Sequence, residues 1–241
     1  MDNKSRKPSG IPLVIDLVGK SGAGKTYVKQ MLMEELSGRH TCVDISDERV
    51  SAIDYLDFIL TSPGAFAASI MLVAGHVPVT FRKTLKLMRK WMGTQVRLKK
   101  AVSLECDFVL NDEGLFIWLQ WIRGGTLRNF SFRTLSRAAK ESFYYPGLTL
   151  FVTADFGLSE ERRIARDTGK KRHRKKKLEK KEEKVLSVFL NNLGEDLAAA
   201  HEEGFFRVIR YNNTGNFDRS LIDKILAFKE GREPCRRNGN F

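Results

Sequence analysis

The sequence predicts an α/β protein of three layers: a parallel sheet flanked by helices, with a helical lobe and a basic segment set into it. Three observations carry that expectation. A glycine-rich loop lies between an apolar run and a helical run. Further apolar, strand-like runs follow at residues 41–45, 106–114, 148–154 and 205–211. Apolar residues at helical spacing fill much of the chain between them.

The first run, residues 11–18, is β-branched and mostly apolar, suited to a strand buried on both faces. It leads into Gly19-Lys20-Ser21-Gly22-Ala23-Gly24-Lys25-Thr26, which fits the pattern G-x-x-x-x-G-K-[ST]. Such a loop wraps backbone N–H groups around nucleotide phosphates. The glycines permit close approach, the lysine reaches the β and γ oxygens, and the hydroxyl ligates Mg²⁺. Residues 27–36 then carry apolar side chains at helical spacing and stop at Ser37-Gly38, so a helix N-terminus faces the bound anion. Strand, loop and helix in this order narrow the fold to a three-layer P-loop NTPase, with Gly19 through Thr26 as nucleotide-binding residues.

Composition bounds the rest. A chain of 241 residues suffices for one large α/β domain or a core domain with an inserted module. Lys and Arg outnumber Asp and Glu by 42 to 29, a formal charge of +13, but the excess is uneven. Residues 160–184 hold thirteen Lys/Arg against six Asp/Glu and supply +7 of it, which marks a local basic segment. Cys42, Cys106 and Cys235 are far apart and lack metal-ligand spacing, as suits a reducing compartment. No signal-peptide core precedes residue 10, and the most apolar window, residues 64–79, is too short for a span and contains His76. The expectation is a cytoplasmic protein without a membrane segment.

Along the chain, residues 41–45 read as a short second strand ending in Ser46-Asp47-Glu48. Residues 52–91 are helical, broken at Ser62-Pro63-Gly64 and His76-Val77-Pro78. Helices in a row without a strand depart from βα alternation, so residues 52–101 are expected to form a lobe on the acceptor side of the site. Within it, residues 81–91 interleave apolar positions with cations, which reads as an amphipathic helix with a solvated face, the alternative being a surface for an anionic ligand. The run 106–114 ends in Asp112-Glu113-Gly114. A strand delivering carboxylates beside a phosphate loop has a chemical use: Asp112 holds Mg²⁺, and Glu113 takes the proton of an attacking hydroxyl. Residues 115–123 read as a core helix in which Trp118 and Trp121 pack, and Arg123, Arg128 and Arg133 as surface arginines.

The run 148–154 opens into Asp155-Phe156-Gly157, followed by the basic segment at residues 157–184. Phosphoryl transfer uses mobile guanidinium groups that close over the transferring phosphate, and Arg162, Arg163, Arg166 and Arg172 are placed for that role. A solvated segment and a nucleic-acid grip are the rival readings. A charged helix at 179–200, a strand at 205–211, the turn Asn212-Asn213-Thr214-Gly215 and a closing helix at 218–228 complete one domain over residues 11–228. Residues 1–10 and 229–241 read as loose ends.

The phosphate loop, Asp112-Glu113-Gly114, the strand at 148–154 with its arginine-rich follower, and Asn212-Asn213-Thr214-Gly215 together resemble the thymidylate-kinase branch of the nucleoside and nucleotide kinases. The resemblance covers both ends of the chain better than residues 37–101. It implies an ATP donor, Mg²⁺ and transfer of the γ-phosphoryl group. Under it Lys25 and Thr26 bind phosphate and metal, and Asp112 matches the aspartate opening an Asp-Arg-Tyr motif. Arg162, Arg163 and Arg166 match lid arginines, and Asn212, Asn213 and Thr214 lie near the adenine. Departures are Ser21 where the family often has aspartate, Tyr27 for its second hydroxyl residue, and Glu113 for the motif arginine.

These departures leave the acceptor open among nucleotide, nucleoside, sugar or other metabolite, and a homodimer is compatible with the chain. The expected function is an ATP-dependent small-molecule kinase. The alternatives are a nucleic-acid-directed P-loop ATPase or polynucleotide kinase, and a nucleotide-binding regulatory module without turnover. The chain has neither the Asn-Lys-x-Asp guanine motif of GTPases nor the Leu-Ser-Gly-Gly-Gln signature of transporter ATPases.

Overall fold

β1 (Leu13–Gly19) is buried along all seven residues, and that burial sets its place at the centre of the sheet. The computed structural model describes residues 10–76, 81–112, 114–118, 132–154, 162 and 179–231. Five parallel strands run in the order β2-β3-β1-β4-β5, with β2 at Cys42–Asp44, β3 at Phe108–Asp112, β4 at Leu148–Thr153 and β5 at Arg207–Asn212. The helices are α1 (Lys25–Ser37), α2 (Ala52–Thr61), α3 (Pro63–His76), α4 (Phe81–Ala101), α5 (Arg137–Ser142), α6 (Glu179–Glu202) and α7 (Ser220–Glu230). A 3₁₀ turn at Phe132–Thr134 and a helical turn at 115–118 lie among them.

Alternation along β1 divides the core into two faces. Leu13, Ile15 and Leu17 pack with Val28, Leu32 and Leu36 of α1 and with Leu221 and Ile225 of α7. Val14 and Val18 belong to the opposite cluster, with Leu72 of α3, Trp91 and Val96 of α4, and Leu193 and Leu197 of α6. Helices therefore cover both faces, which is the three-layer arrangement that parallel strands require. The fold is the expected P-loop NTPase architecture. α2, α3 and α4 build no core of their own, since Phe58, Val73 and Trp91 share a cluster with Val14, Val18 and Val109 of the sheet.

Local chemistry explains the helix starts. Ser51 caps α2 through a reciprocal pair: its hydroxyl accepts from the Asp54 N–H at 3.2 Å, and the Asp54 carboxylate accepts from the Ser51 N–H at 2.7 Å. α3 begins on Pro63, whose missing N–H has no helical partner at that position anyway. The two helices meet at a bend of 106°. Among the described residues no single helix is long and apolar enough to cross a membrane.

α4 runs to Ala101, ten residues beyond the expected stretch. Positions 91–96 are all buried, and the polar ones are satisfied. Gln95 accepts from the Tyr144 N–H at 2.8 Å and donates to its carbonyl at 3.3 Å, while Thr94 donates to the Lys90 carbonyl at 3.1 Å. β5 begins two residues later than the apolar run because Phe205 and Phe206 turn into an aromatic group with Phe116, Phe132 and Tyr145. α7 extends to Glu230, and Lys229 pairs with Asp107 at 2.7 Å above the Phe108 ring. The expected loose ends at 1–9 and 232–241, the break at 77–80 and Trp121 lie outside the described residues.

Trp91 is the anchor of the helical layer: it is 1 % exposed, its indole N–H donates to Ser69 Oγ at 3.0 Å, and its ring meets Phe143 edge-on at 5.1 Å. Truncating a buried aromatic costs about 3–5 kcal/mol. Trp91→Ala is expected to lose that much in denaturant unfolding, and a loss below about 1 kcal/mol contradicts this packing.

Candidate phosphate-loop site

The loop after β1 is shaped by three left-handed glycines. Gly19, Gly22 and Gly24 have φ values of 151°, 88° and 82°, a region that other residues avoid. A Cβ at Gly19 would run into the Val152 carbonyl of neighbouring β4, and one at Gly24 into the Asn213 amide. Gly24 is also the N-cap of α1, and the first helical bond runs from the Val28 N–H to its carbonyl at 2.9 Å. The first turn of α1 carries no acidic residue. Its N–H groups and the helix dipole therefore favour an anion with nothing of like charge in the way. Lys25 curls back over the loop and donates to the carbonyls of Gly19 and Lys20 at 3.1 and 3.3 Å. Thr26 is exposed on the helix next to it, as is Ser21 in the loop.

A second loop braces the first. Asn213, wholly buried just past β5, donates from its amide to the Ala23 carbonyl at 2.9 Å. Its own backbone N–H reaches the Thr153 carbonyl at 2.7 Å, and its side-chain oxygen accepts from the Gly215 N–H at 3.1 Å. Asn212 and Thr214 flank it and are exposed. Arg162 reaches the same place. Its Nη1 lies 3.2 Å from where a Gly24 Cβ would sit and is buried without a hydrogen-bond partner among the described residues. Arg163, Arg166, Arg172 and the rest of the basic run to residue 178 lie outside the described residues, as do Glu113, Asp155-Phe156-Gly157, Arg123 and Arg128. Arg133 is held by Glu202 at 2.9 Å on the surface.

The carboxylates come from adjacent strands. In the β1–β3 register Asp16 faces Asn111 and Leu17 faces Asp112, which places Asp112 one strand away and two residues short of the loop. Ser46 ties this corner together. Its hydroxyl accepts from the Asp112 N–H at 2.8 Å and from Lys29 of α1 at 3.1 Å, and its carbonyl accepts from Arg97 Nη1 at 2.9 Å.

Asp16 is the residue that sequence reasoning missed. It is completely buried, accepts from the Asn111 amide at 2.9 Å, and keeps Oδ2 without a hydrogen-bond partner among the described residues. Burial pushes its pKa up to about 7; the Asn111 hydrogen bond opposes this, the neighbouring Asp112 charge adds to it, and Arg97 and the Leu115 N–H oppose it. A Cβ at position 114 would fall on this carboxylate, which accounts for Gly114. The available signal was a lone acid inside an otherwise apolar strand three residues before Gly19. Lys25, Asn213 and Arg162 thus meet at the loop, with Asp16 and Asp112 beside it.

The site and sheet define a P-loop protein. No protein-family model matches the chain, and no curated protein matches it. Among solved structures the chain is similar to a thymidylate kinase from Candida albicans, at 14% identity over 92% of each chain with a TM-score of 0.45. It is also similar to a thymidylate kinase from Ehrlichia chaffeensis, at 11% identity over 90% of this chain and 100% of that one, TM-score 0.47. A deoxyadenosine kinase from M. mycoides aligns at 13% identity over 91% and 100%, TM-score 0.42.

A carboxyl whose pKa is raised on folding keeps a proton that the unfolded chain has lost, so stability falls as pH rises from about 4 to about 7. Asp16→Asn keeps the acceptor for Asn111 and removes this dependence. The variant is expected to gain on the wild type between pH 4 and pH 8 by up to about 4 kcal/mol, read by denaturant unfolding at both pH values. A stability difference that does not change with pH counts against a proton on Asp16.

Proposed function

We propose that this chain is an ATP-dependent phosphotransferase of the nucleoside- and nucleotide-kinase type. It moves the γ-phosphoryl group of ATP to an oxygen of a nucleotide, nucleoside or related metabolite. The observation that carries this reading is the loop itself: three positive-φ glycines lead into a helix N-terminus free of acids, with the Asp112 carboxylate on the adjacent strand. The residues present fit a phosphate, since Arg162 Nη1 is a buried donor beside the loop with no described acceptor, and the Asp112 carboxylate is the kind of oxygen donor a divalent cation takes.

In this reading the backbone N–H groups of residues 19–26 and Lys25 hold the β and γ phosphates. Thr26 and Asp112 are the oxygens that would hold Mg²⁺, which supplies charge neutralisation on the transferring group. Asn212, Asn213 and Thr214 sit on the donor side, where Asn213 keeps the loop in shape. Glu113 takes the acceptor proton as the acceptor oxygen bonds to the γ phosphorus, the bond to the β–γ bridging oxygen breaks, and ADP leaves. Arg162, Arg163 and Arg166 neutralise charge on the group in flight, within a lid formed by residues 157–184. Residues 52–101 lie on the acceptor side of a single domain at residues 11–228.

Lys25→Ala is expected to remove most ATP binding and turnover with an unchanged circular dichroism spectrum, because the side chain contributes charge rather than packing. Full turnover in the folded variant rules out the loop assignment. For the carboxylates, Asp112→Asn is expected to weaken Mg²⁺-dependent activity. Glu113→Gln is expected to slow turnover by ~10²–10⁴-fold with less effect on ATP affinity. A Glu113→Gln rate within about twofold of wild type is far below that general-base range and moves Glu113 to a structural role.

A further inference from the structure

A cleft of about 770 Å³ lies between α2, α4 and the segment after β2, within the size range of small-molecule sites. Five cations line it: Arg49, Lys86, Arg89, Lys90 and Arg97. Among the described residues its one lining carboxylate is Glu48, which is drawn to Lys100 at 3.2 Å. Among the described residues none of the five makes an ion pair. Lys90 lies over the Trp118 ring at 5.4 Å, and Arg97 donates to the Ser46 carbonyl while its buried Nε has no hydrogen-bond partner.

Cations further along the same helix are treated differently. Lys99 pairs with Asp57 at 2.5 Å, and Lys100 pairs with Asp54 at 2.8 Å as well as with Glu48. α4 thus neutralises the lysines at its C-terminal end and, among the described residues, leaves those lining the cleft without an ion pair. Like charges gathered without partners repel one another and destabilise the fold, so their convergence in a concave wall points to an anionic ligand.

The charge count sets how anionic. A phosphomonoester carries about −1.5 to −2 near neutrality, so one such group offsets less than half of five cations. The wall also lacks the broad apolar faces that grip a base. Tyr55 is its one aromatic, with the hydroxyl donating to the Arg89 carbonyl at 3.3 Å. The floor adjoins the transfer site, because Arg97 holds the Ser46 carbonyl and the Ser46 hydroxyl holds the Asp112 N–H.

We propose that this cleft binds the phosphoryl acceptor, and that the acceptor is a small molecule bearing two or more anionic groups, of the bisphosphorylated sugar or polyol class. This rests on the phosphotransfer reading above and narrows its acceptor. Guanidinium and ammonium groups from α4 and Arg49 grip the anionic groups, and Arg97 turns the near end of the molecule toward Asp112.

The test is calorimetric titration of the full chain with fructose 1,6-bisphosphate, fructose 6-phosphate, thymidine monophosphate, a short single-stranded oligonucleotide and ATP. The bisphosphate is expected to bind at least about tenfold more tightly than either monophosphate, one charge-assisted contact being worth that much. The exposed double variant Arg49→Ala/Arg89→Ala is expected to weaken it by at least about tenfold. Lys25→Ala is expected to leave it within about twofold, since the loop is a separate site. Equal affinity for bisphosphate and monophosphates, or an unchanged double variant of native circular dichroism, overturns the proposal. So does oligonucleotide binding that is tighter than that of the bisphosphate and is lost in the same variant. ATP binding that requires Lys25 but no bisphosphate binding removes this proposal and leaves the phosphotransfer reading standing. Bisphosphate binding without ATP binding removes the phosphotransfer reading and with it the acceptor role.

Discussion

The Val152 carbonyl leaves no room for a side chain at Gly19, and much of the site follows from that exclusion. β1 pairs with β3 over Leu13–Leu17 and with β4 over Ile15–Gly19, so its last residue has to pass against β4 backbone. Only a glycine can make that passage and turn with φ at 151°. The chain then loops through Gly22 and Gly24 into α1, which Val28, Leu32 and Leu36 fasten to the face of the sheet holding Leu13, Ile15 and Leu17. Asn213 closes the arrangement from beyond β5, fixing the Ala23 carbonyl. The loop is therefore braced by two strands that are distant in sequence, and its N–H groups are aimed before any ligand arrives. Pre-aimed dipoles cost no reorganisation when charge appears, which is how such sites stabilise anions.

On the other face the sheet carries a polar row where apolar side chains would pack. Asn111, Asp16 and Thr149 lie side by side on β3, β1 and β4, all completely buried. The row is under-satisfied among the described residues: Asp16 Oδ2, Asn111 Oδ1 and Thr149 Oγ1 have no hydrogen-bond partner there. A buried carboxyl in this condition is expensive ionised, and holding a proton to about neutral pH is its cheapest state. Native sheets rarely keep such a row for stability alone, and it lies one residue before Asp112 on β3 and three before Gly19 on β1. It also explains the glycine of Asp112-Glu113-Gly114, where the Asp16 carboxylate occupies the space of a Cβ.

The strands and the loop were legible because their signals are local: uninterrupted apolar runs, a glycine pattern and a helix that begins where the pattern ends. β3 and β4 lie within the runs that predicted them, and β1 passes the end of its run by one residue, Gly19. Tertiary satisfaction was not legible. Residues 92–101 look too polar for a core helix, yet Gln95 is buried because the Tyr144 backbone pairs with it from across the fold. Asp16 hid in an apolar run for the same reason, its partner lying 95 residues away in sequence. The cations of residues 81–91 read as a solvated face before an anionic-ligand surface, and Lys86, Arg89 and Lys90 are exposed. What periodicity does not contain is the opposing wall, built by Glu48, Arg49, Val50 and Tyr55, which turns that face into one side of a cleft.

Arg97 joins the cleft to the buried row, because it lines the cleft while its charge lowers the Asp16 pKa. An anion drawn to Arg97 offsets part of that charge, so Asp16 is pushed further toward its protonated form. The protonated form of Asp16 no longer places a like charge beside Asp112. The link through Ser46 keeps the geometry fixed meanwhile, because its carbonyl and hydroxyl hold Arg97 and Asp112 at the same time. One guanidinium group therefore faces both the cleft and the buried carboxyl beside the loop.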